Sequence, residues 1–234
     1  MKKISFIGVY DKTDFILYLA KIITAVGKKA LVVDTTTNQK ARYIVPVISP
    51  TVSYVTEFEE IDVAVGFENF NTIKNYLGVS EEKELEYDYI LLDIDNEKAL
   101  ESFEIQPMDN NYFVTGFDVY SLKKGLEIFN NVKEQFKLTK LLYSKMMLKE
   151  EDDYLNFLAR GLKIVWKDTR VYLPIENGDA SVIAENQRLA KIKFKNLSQQ
   201  YKESLLFVAE ETMNDVNGSQ IRRAVRIIER DKGV

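Results

Sequence analysis

The chain has 234 residues, of which 46% are hydrophobic and 29% charged, and its formal net charge is −4. This balance is ordinary for a folded domain and argues against a sequence-specific nucleic-acid-binding protein, which needs a concentrated basic surface. The chain contains no cysteine and no histidine, which excludes disulfides, thiolate nucleophiles, serine–histidine catalysis and most zinc sites.

Neither a secretory signal nor a membrane span is predicted. Residues 1–3 lead directly into a strand pattern, and no apolar run approaches the roughly 20 residues of a transmembrane helix. We therefore expect a cytoplasmic protein. Its length favours one large hydrophobic core, so we expect a single domain, residues 1–234.

The first 37 residues predict a strand–helix–strand unit. A strand pattern runs from Lys3 to Val9, and apolar residues then recur at helical spacing from Phe15 to Val26. Gly27 follows where a helix commonly ends in the left-handed conformation. A second buried strand, Lys29 to Val33, leads to Asp34. Such a unit is a right-handed parallel crossover, and its first turn lies at the sheet edge where open α/β sheets bind ligands.

The rest of the chain alternates between strand and helix patterns. We predict a short edge segment at 42–48 and strands at 52–58, 61–67, 87–95, 112–115, 140–148 and 171–175. We predict helices at 70–77, 119–136, 152–162, 197–213 and 219–231, and an exposed acidic loop at 80–86. This alternation indicates an α/β fold with a largely parallel sheet and helices on both faces.

The sequence resembles the MinD/ParA family of P-loop ATPases in the order and spacing of short matches along nearly the whole chain. Residues 4–9 are similar to the first strand of that family, Lys12-Thr13 lie at its phosphate- and magnesium-binding positions, and Asp93 matches its Walker B acid. The resemblance implies the P-loop NTPase fold. It also implies a nucleotide site of Gly8, Asp11, Lys12 and Thr13, with Mg²⁺ bound by Thr13, Asp34 and Asp93.

The loop departs from the family pattern in ways that argue against ATP hydrolysis. Only Gly8 remains of the loop glycines, the turn at 9–11 is shorter, and Asp11 replaces the glycine before Lys12. A carboxylate about 4 Å from a phosphate costs on the order of 4 kcal/mol at an effective dielectric constant of about 20. The family's earlier signature lysine has no counterpart in the loop, and Thr36 stands where an acid would orient the attacking water. We therefore expect ATP and Mg²⁺ to bind weakly, if they bind.

Structural roles explain the same residues without any ligand. Aspartate and threonine are frequent helix caps, so Asp11 or Thr13 could simply begin the first helix. Acidic residues also commonly end parallel strands, which is a sufficient role for Asp34 and Asp93. The sequence leaves both interpretations of these residues open.

Degenerate members of this superfamily, such as the TadZ/CpaE-type proteins, localise secretion and pilus machines. The resemblance therefore implies a homodimeric pseudo-ATPase that acts as a positioning or assembly factor, binds a protein partner and reaches the membrane through that partner. One alternative is a true ATP-dependent dimerisation switch. Another is a receiver-like signalling module, since residues 87–95 resemble a phospho-acceptor strand, although Asp34-Thr35 lacks the acidic pair that a receiver needs.

The last predicted helix, residues 219–231, is basic and amphipathic. In MinD-like proteins a C-terminal helix of this kind attaches the protein to membrane, but such helices carry bulky apolar residues that are lacking here. We favour a packed or dimer-forming helix; the alternative is that its basic side meets an acidic partner. The arginines of that side are Arg222, Arg223, Arg226 and Arg230.

Overall fold

The computed structural model describes residues 1–48, 51–106 and 110–230. The strands in these ranges are β1 (Lys2–Ile7), β2 (Ala30–Asp34), β3 (Tyr54–Phe58), β4 (Ile61–Val65), β5 (Tyr89–Ile94), β6 (Asn110–Thr115), β7 (Phe136–Leu142) and β8 (Ile164–Tyr172). The helices are α1 (Thr13–Ala25), α2 (Ala41–Ile44), α3 (Phe70–Tyr76), α4 (Glu97–Ser102), α5 (Val119–Glu127), α6 (Lys149–Leu158), α7 (Asn177–Arg188), α8 (Gln199–Thr212) and α9 (Gly218–Arg230).

The described strands form one sheet in the order β3-β4-β2-β5-β1-β6-β7-β8. β3 and β4 pair antiparallel, and the other neighbouring strands of this sheet pair in parallel. Helices α1, α8 and α9 cover one face, while α3, α4, α5 and α6 cover the other. Because both faces are covered, every residue of β2 and β5 is buried. The predicted fold class is confirmed.

The predicted first unit is β1, α1 and β2, and Gly27 after α1 has a φ of 81°. Gly8, which follows β1, has a φ of 148°, and a Cβ there would lie 2.1 Å from the Val114 carbonyl oxygen of β6. Only glycine satisfies both the backbone conformation and this close approach. The turn that follows β1 is therefore fixed tightly against the neighbouring strand.

Several predicted elements differ in the structure. The proposed edge segment at 42–48 is wrong, because its first residues form α2 and Pro46 holds Val45 extended, which ends that helix. The helix predicted at 119–136 stops at Glu127, although Phe129 beyond it stays buried. The strand predicted at 140–148 is also misplaced, since β7 ends at Leu142, and β8 begins well before residue 171. Of the predicted last helix, residue 231 lies outside the described ranges.

Candidate functional site

The turn between β1 and α1 carries the predicted phosphate-site lysine into the protein interior. The side chain of Lys12 is 2% exposed, and its Nζ lies 2.7 Å from Oδ1 of Asp93. Lys12 Nζ also donates a hydrogen bond of 2.7 Å to the carbonyl oxygen of Gly8. The hydroxyl of Thr13 donates to Oδ2 of Asp93 at 2.8 Å. Four predicted site residues therefore meet in one buried cluster, in which Lys12 and Thr13 occupy both oxygens of the Asp93 carboxylate.

Sheet topology explains why these residues meet. β1 lies between β5 and β6, and β5 lies between β1 and β2, so the carboxyl ends of these strands share one edge of the sheet. Asp34 of β2 is paired in register with Asp93 of β5. α1 begins at the same edge, which places Lys12 and Thr13 above the strand ends.

Asp34 is held by its own loop. Its Oδ1 accepts hydrogen bonds from the backbone N–H of Thr36 at 3.0 Å and from the Thr36 hydroxyl at 2.6 Å, and its Oδ2 accepts from the backbone N–H of Ala41 at 2.9 Å. Burial and the neighbouring Asp93 raise the pKa of Asp34, while these hydrogen bonds oppose that shift. Asp34 therefore fixes the loop that leads into α2.

This donor set does not fit a magnesium ion in the arrangement observed. Mg²⁺ demands near-octahedral oxygen coordination, but the oxygens of Asp34 and Asp93 already accept hydrogen bonds or face an ammonium group. In the part of the chain that the structure describes, no three Asp, Glu, His or Cys side chains are grouped closely enough to hold a metal ion. A metal would have to displace Lys12 or Thr13 from Asp93.

Asp11 belongs to a second cluster that the sequence did not reveal. Lys40 Nζ lies 2.6 Å from Oδ2 of Asp11 and 2.7 Å from Oδ2 of Asp14, and the Gln187 amide donates to Oδ1 of Asp14 at 2.8 Å. Burial lowers the pKa of Lys40, but the two carboxylates outweigh it, so that this pKa is raised overall. Asp11 also accepts a long hydrogen bond of 3.4 Å from the backbone N–H of Thr13. Its carboxylate thus lies at the start of α1, where a P-loop would hold phosphate.

Two clefts adjoin these clusters. One of about 310 Å³ extends toward Asp95 and Tyr43, and one of about 430 Å³ extends toward Tyr143 and Ile183. The turn at 9–12 and Lys40 line both, and so divide them. The charged residues that line the two clefts are Asp11, Lys12, Asp14, Lys40, Asp93 and Asp95. With four carboxylates and two ammonium groups, they carry a formal excess of two negative charges.

Tyr10 fills part of the second cleft. Its ring packs on Tyr143 with a centroid distance of 4.4 Å, and a Cβ on Gly116 would lie 3.0 Å from it. Burial raises the pKa of Tyr10, and the carboxylates of Asp118 and Asp11 add to the effect. Glycine at position 116 therefore makes room for an aromatic ring beside the shortened turn.

A larger cleft of about 550 Å³ lies at the opposite edge of the sheet, near Lys29, Asp62 and Tyr87. It contains none of the predicted site residues, and it is lined by charges of both signs. Ligands of open α/β sheets bind at the carboxyl ends of the strands, so the position of this cleft argues against it as the main site.

The basic C-terminal helix, α9, packs against the body of the protein. Ile221 and Val225 are buried against the core that includes α1 and α8. Arg222 pairs with Glu210 at 2.7 Å, whereas the other predicted contact arginines, Arg223, Arg226 and Arg230, are exposed. Most of the apolar side that a membrane-binding helix would insert is thus used within the protein. Within the described ranges, no helix has the length and apolarity that a membrane crossing requires.

No known family model matches the sequence, and no curated protein is significantly similar to it. Solved structures are similar. A plasmid partition protein from Borrelia burgdorferi B31 bound to AMPPNP is 13% identical with a TM-score of 0.52, over 92% of this chain and 99% of that one. A ParA family ATPase from Chlorobium tepidum TLS is 13% identical with a TM-score of 0.50, over 97% of this chain and 98% of that one. The chain therefore has the fold of ParA-type P-loop ATPases, as the sequence resemblance implied.

Proposed function

We propose that this protein acts by binding rather than by catalysis, as a cytoplasmic positioning or assembly factor with little or no ATP hydrolysis. The observation that carries the proposal is the buried cluster of Lys12, Thr13 and Asp93, in which the groups that would bind phosphate and metal pair with one another. The Borrelia protein of the same fold was solved with AMPPNP, so the fold itself admits a nucleotide. The difference proposed for this chain therefore lies in its local residues.

Electrostatics supports the same conclusion. The two clefts carry an excess of negative charge, and a polyphosphate would add several more negative charges to the site. One uncompensated pair of like charges about 4 Å apart costs on the order of 4 kcal/mol at an effective dielectric constant of about 20. That cost equals about three orders of magnitude in affinity.

The loop after β2 places no carboxylate where an acid would orient the attacking water. Thr36 stands at that position, and its hydroxyl donates to Asp34 at 2.6 Å. An aliphatic hydroxyl is far too weak a base to take a proton from water at neutral pH. The receiver-like alternative is also disfavoured, because Asp93 is 1% exposed and covered by Lys12.

Phosphate release from ATP in the presence of Mg²⁺ tests the absence of hydrolysis. We expect the rate to stay at background, with and without candidate protein partners. The matched variant is Thr13→Val, which keeps the side-chain shape and removes the hydroxyl bonded to Asp93. A rate above background that disappears in this variant, with the fold preserved by circular dichroism, would show that the site is catalytic.

We further propose that the protein forms a homodimer without nucleotide. Large exposed apolar residues follow the carboxyl ends of several strands and so share the edge that carries the clefts. These residues are Tyr43, Tyr120, Met146 and Ile175. Light scattering should give one oligomeric state with and without ATP. A monomer that dimerises only after ATP is added would instead support the alternative function, an ATP-dependent switch.

A further inference from the structure

Lys40 holds together parts of the site that are distant in sequence. Its ammonium group bridges Asp11 in the turn and Asp14 in the first turn of α1. Asp14 is also held by Gln187 of α7, whereas the described contacts give Asp11, apart from Lys40, only the 3.4 Å hydrogen bond from the N–H of Thr13. The side chain of Lys40 is 31% exposed and that of Asp11 is 57% exposed, so the bond between them lies at the mouth of the site.

The backbone beside Lys40 is fixed, so only its side chain is free to move. Gln39 has a φ of 46°, and its N–H donates to the Thr36 hydroxyl at 3.0 Å. On the other side, the N–H of Ala41 donates to Asp34 at 2.9 Å. A change of partner at Lys40 therefore requires rotation of a flexible side chain and no rearrangement of the loop.

We propose that Lys40 is a latch that keeps polyphosphate out of the site. While it is paired with Asp11 and Asp14, its ammonium group is not available to a ligand. When Asp11 is neutralised, Lys40 keeps only Asp14, which Gln187 also holds, and the ammonium group turns to the phosphates of the ligand. This inference rests on the proposed function, because it names what keeps the same site closed.

The latch is distinct from simple repulsion by Asp11. Repulsion alone predicts that neutralising Asp11 improves binding whether or not Lys40 is present. The latch predicts that the improvement depends on Lys40, because the released ammonium group becomes the phosphate ligand. Asp11→Asn introduced into the parent and into Lys40→Met separates the two explanations, because repulsion predicts a gain in both backgrounds and the latch predicts a gain only where Lys40 is present. Asp11 is largely exposed, so Asp11→Asn is expected to fold, and thermal melting checks this for each variant.

The experiment is calorimetric titration of the whole protein with Mg-ATP and, separately, with inorganic tripolyphosphate. We expect Asp11→Asn to bind both probes at least tenfold more tightly than the parent. In the Lys40→Met background, Asp11→Asn should bind both probes within about threefold of Lys40→Met alone. Asp14→Asn should give a smaller gain than Asp11→Asn. Either change leaves one carboxylate on Lys40, but only Asp11→Asn also removes the exposed carboxylate at the start of α1, where phosphate would lie.

Lys124→Met in the Asp11→Asn background is the matched control. Lys124 also forms a lysine–carboxylate pair, with Glu127 at 2.7 Å, but it lines neither cleft. This control should keep the full gain in affinity, which shows that the loss on removing Lys40 is not a general effect of one positive charge.

Three results would overturn the latch. They are a folded Asp11→Asn variant with no gain, a gain that survives Lys40→Met, and a gain seen with Mg-ATP but not with tripolyphosphate. The last would show that the base, rather than the phosphates, is recognised. Each of these leaves the proposed function standing. The proposed function fails separately, if the parent protein itself hydrolyses ATP.

Discussion

Replacing Lys12 by Met tests whether this lysine is a structural group. The change keeps an unbranched side chain of similar length and removes the ammonium group that lies 2.7 Å from Asp93. Asp93 is 1% exposed, so its carboxylate would be left buried with only the Thr13 hydroxyl as a close side-chain donor. Removing one partner of a buried ion pair costs about 3–5 kcal/mol. Because a typical domain is stable by only about 5–15 kcal/mol, this loss would be large.

Urea unfolding followed by circular dichroism measures the effect. We expect Lys12→Met to lower the free energy of unfolding by about 3–5 kcal/mol. Adding Asp93→Asn should recover part of the loss, since it removes the uncompensated charge. The control is Lys124→Met, which breaks an exposed pair and should cost less than about 1 kcal/mol.

A small effect would refute this reasoning. If the free energy of unfolding of Lys12→Met lies within about 1 kcal/mol of the parent's, the Lys12–Asp93 pair contributes little to stability. Lys12 would then be available to a ligand, as in an active P-loop. A loss that Asp93→Asn does not reduce would point to lost packing rather than to an uncompensated charge.

Three further predictions concern the framework around the site. Gly8→Ala should cost about 2–3 kcal/mol in urea unfolding, since its Cβ would meet the Val114 carbonyl oxygen, and a variant as stable as the parent would contradict this. Glu60→Gly should be more stable than Glu60→Ala by about 1 kcal/mol, because both lose the 3.1 Å pair with Lys21 but only glycine relieves the φ of 67° in the β3–β4 turn, and equal stabilities would count against the strain. Hydrogen bonding to Lys2 lowers the pKa of Asp215 to about 2, so its stabilising contribution is present above about pH 4 and lost toward pH 2. Asp215→Asn should show a shallower loss of stability over that range in pH-dependent melting, and an unchanged slope would exclude this contribution.

The first crossover unit was predictable because its signals are local. The apolar periodicity of α1, the glycine after it and the saturated apolar run of β2 all lie within about 35 residues. Strand and helix alternation then determined the fold class. Such patterns indicate which side of a helix or strand is buried, and they can be seen in residues that lie close together in the sequence.

Elements with weak periodicity were missed or misplaced. α4 has six residues and α7 buries little apolar surface, so neither shows a helical stripe in the sequence. The apolar spacing did not show where α5 ends, because apolar residues continue through the segment that joins α5 to β7. Only Val171 of the edge strand β8 is buried, and the charged middle of the strand has the sequence pattern of a loop.

The candidate site was predictable in part. The family resemblance pointed to Lys12, Thr13 and Asp93, and each lies at the end of a strand or the start of a helix. The partners Asp14 and Lys40 were not predicted, since Lys40 is 26 residues from Asp14 in the chain. Contacts over such distances depend on the conformation of the loop after β2, which no short sequence pattern encodes.

Titration of the parent protein with Mg-ATP, followed by calorimetry, tests most directly whether its own side chains occupy the site. We expect no saturable binding tighter than a dissociation constant of about 1 mM, because Lys12 is bound to Asp93 and Lys40 to Asp11 and Asp14. A dissociation constant of about 1 µM or below would contradict it, since such a ligand would have to displace both ion-pair clusters.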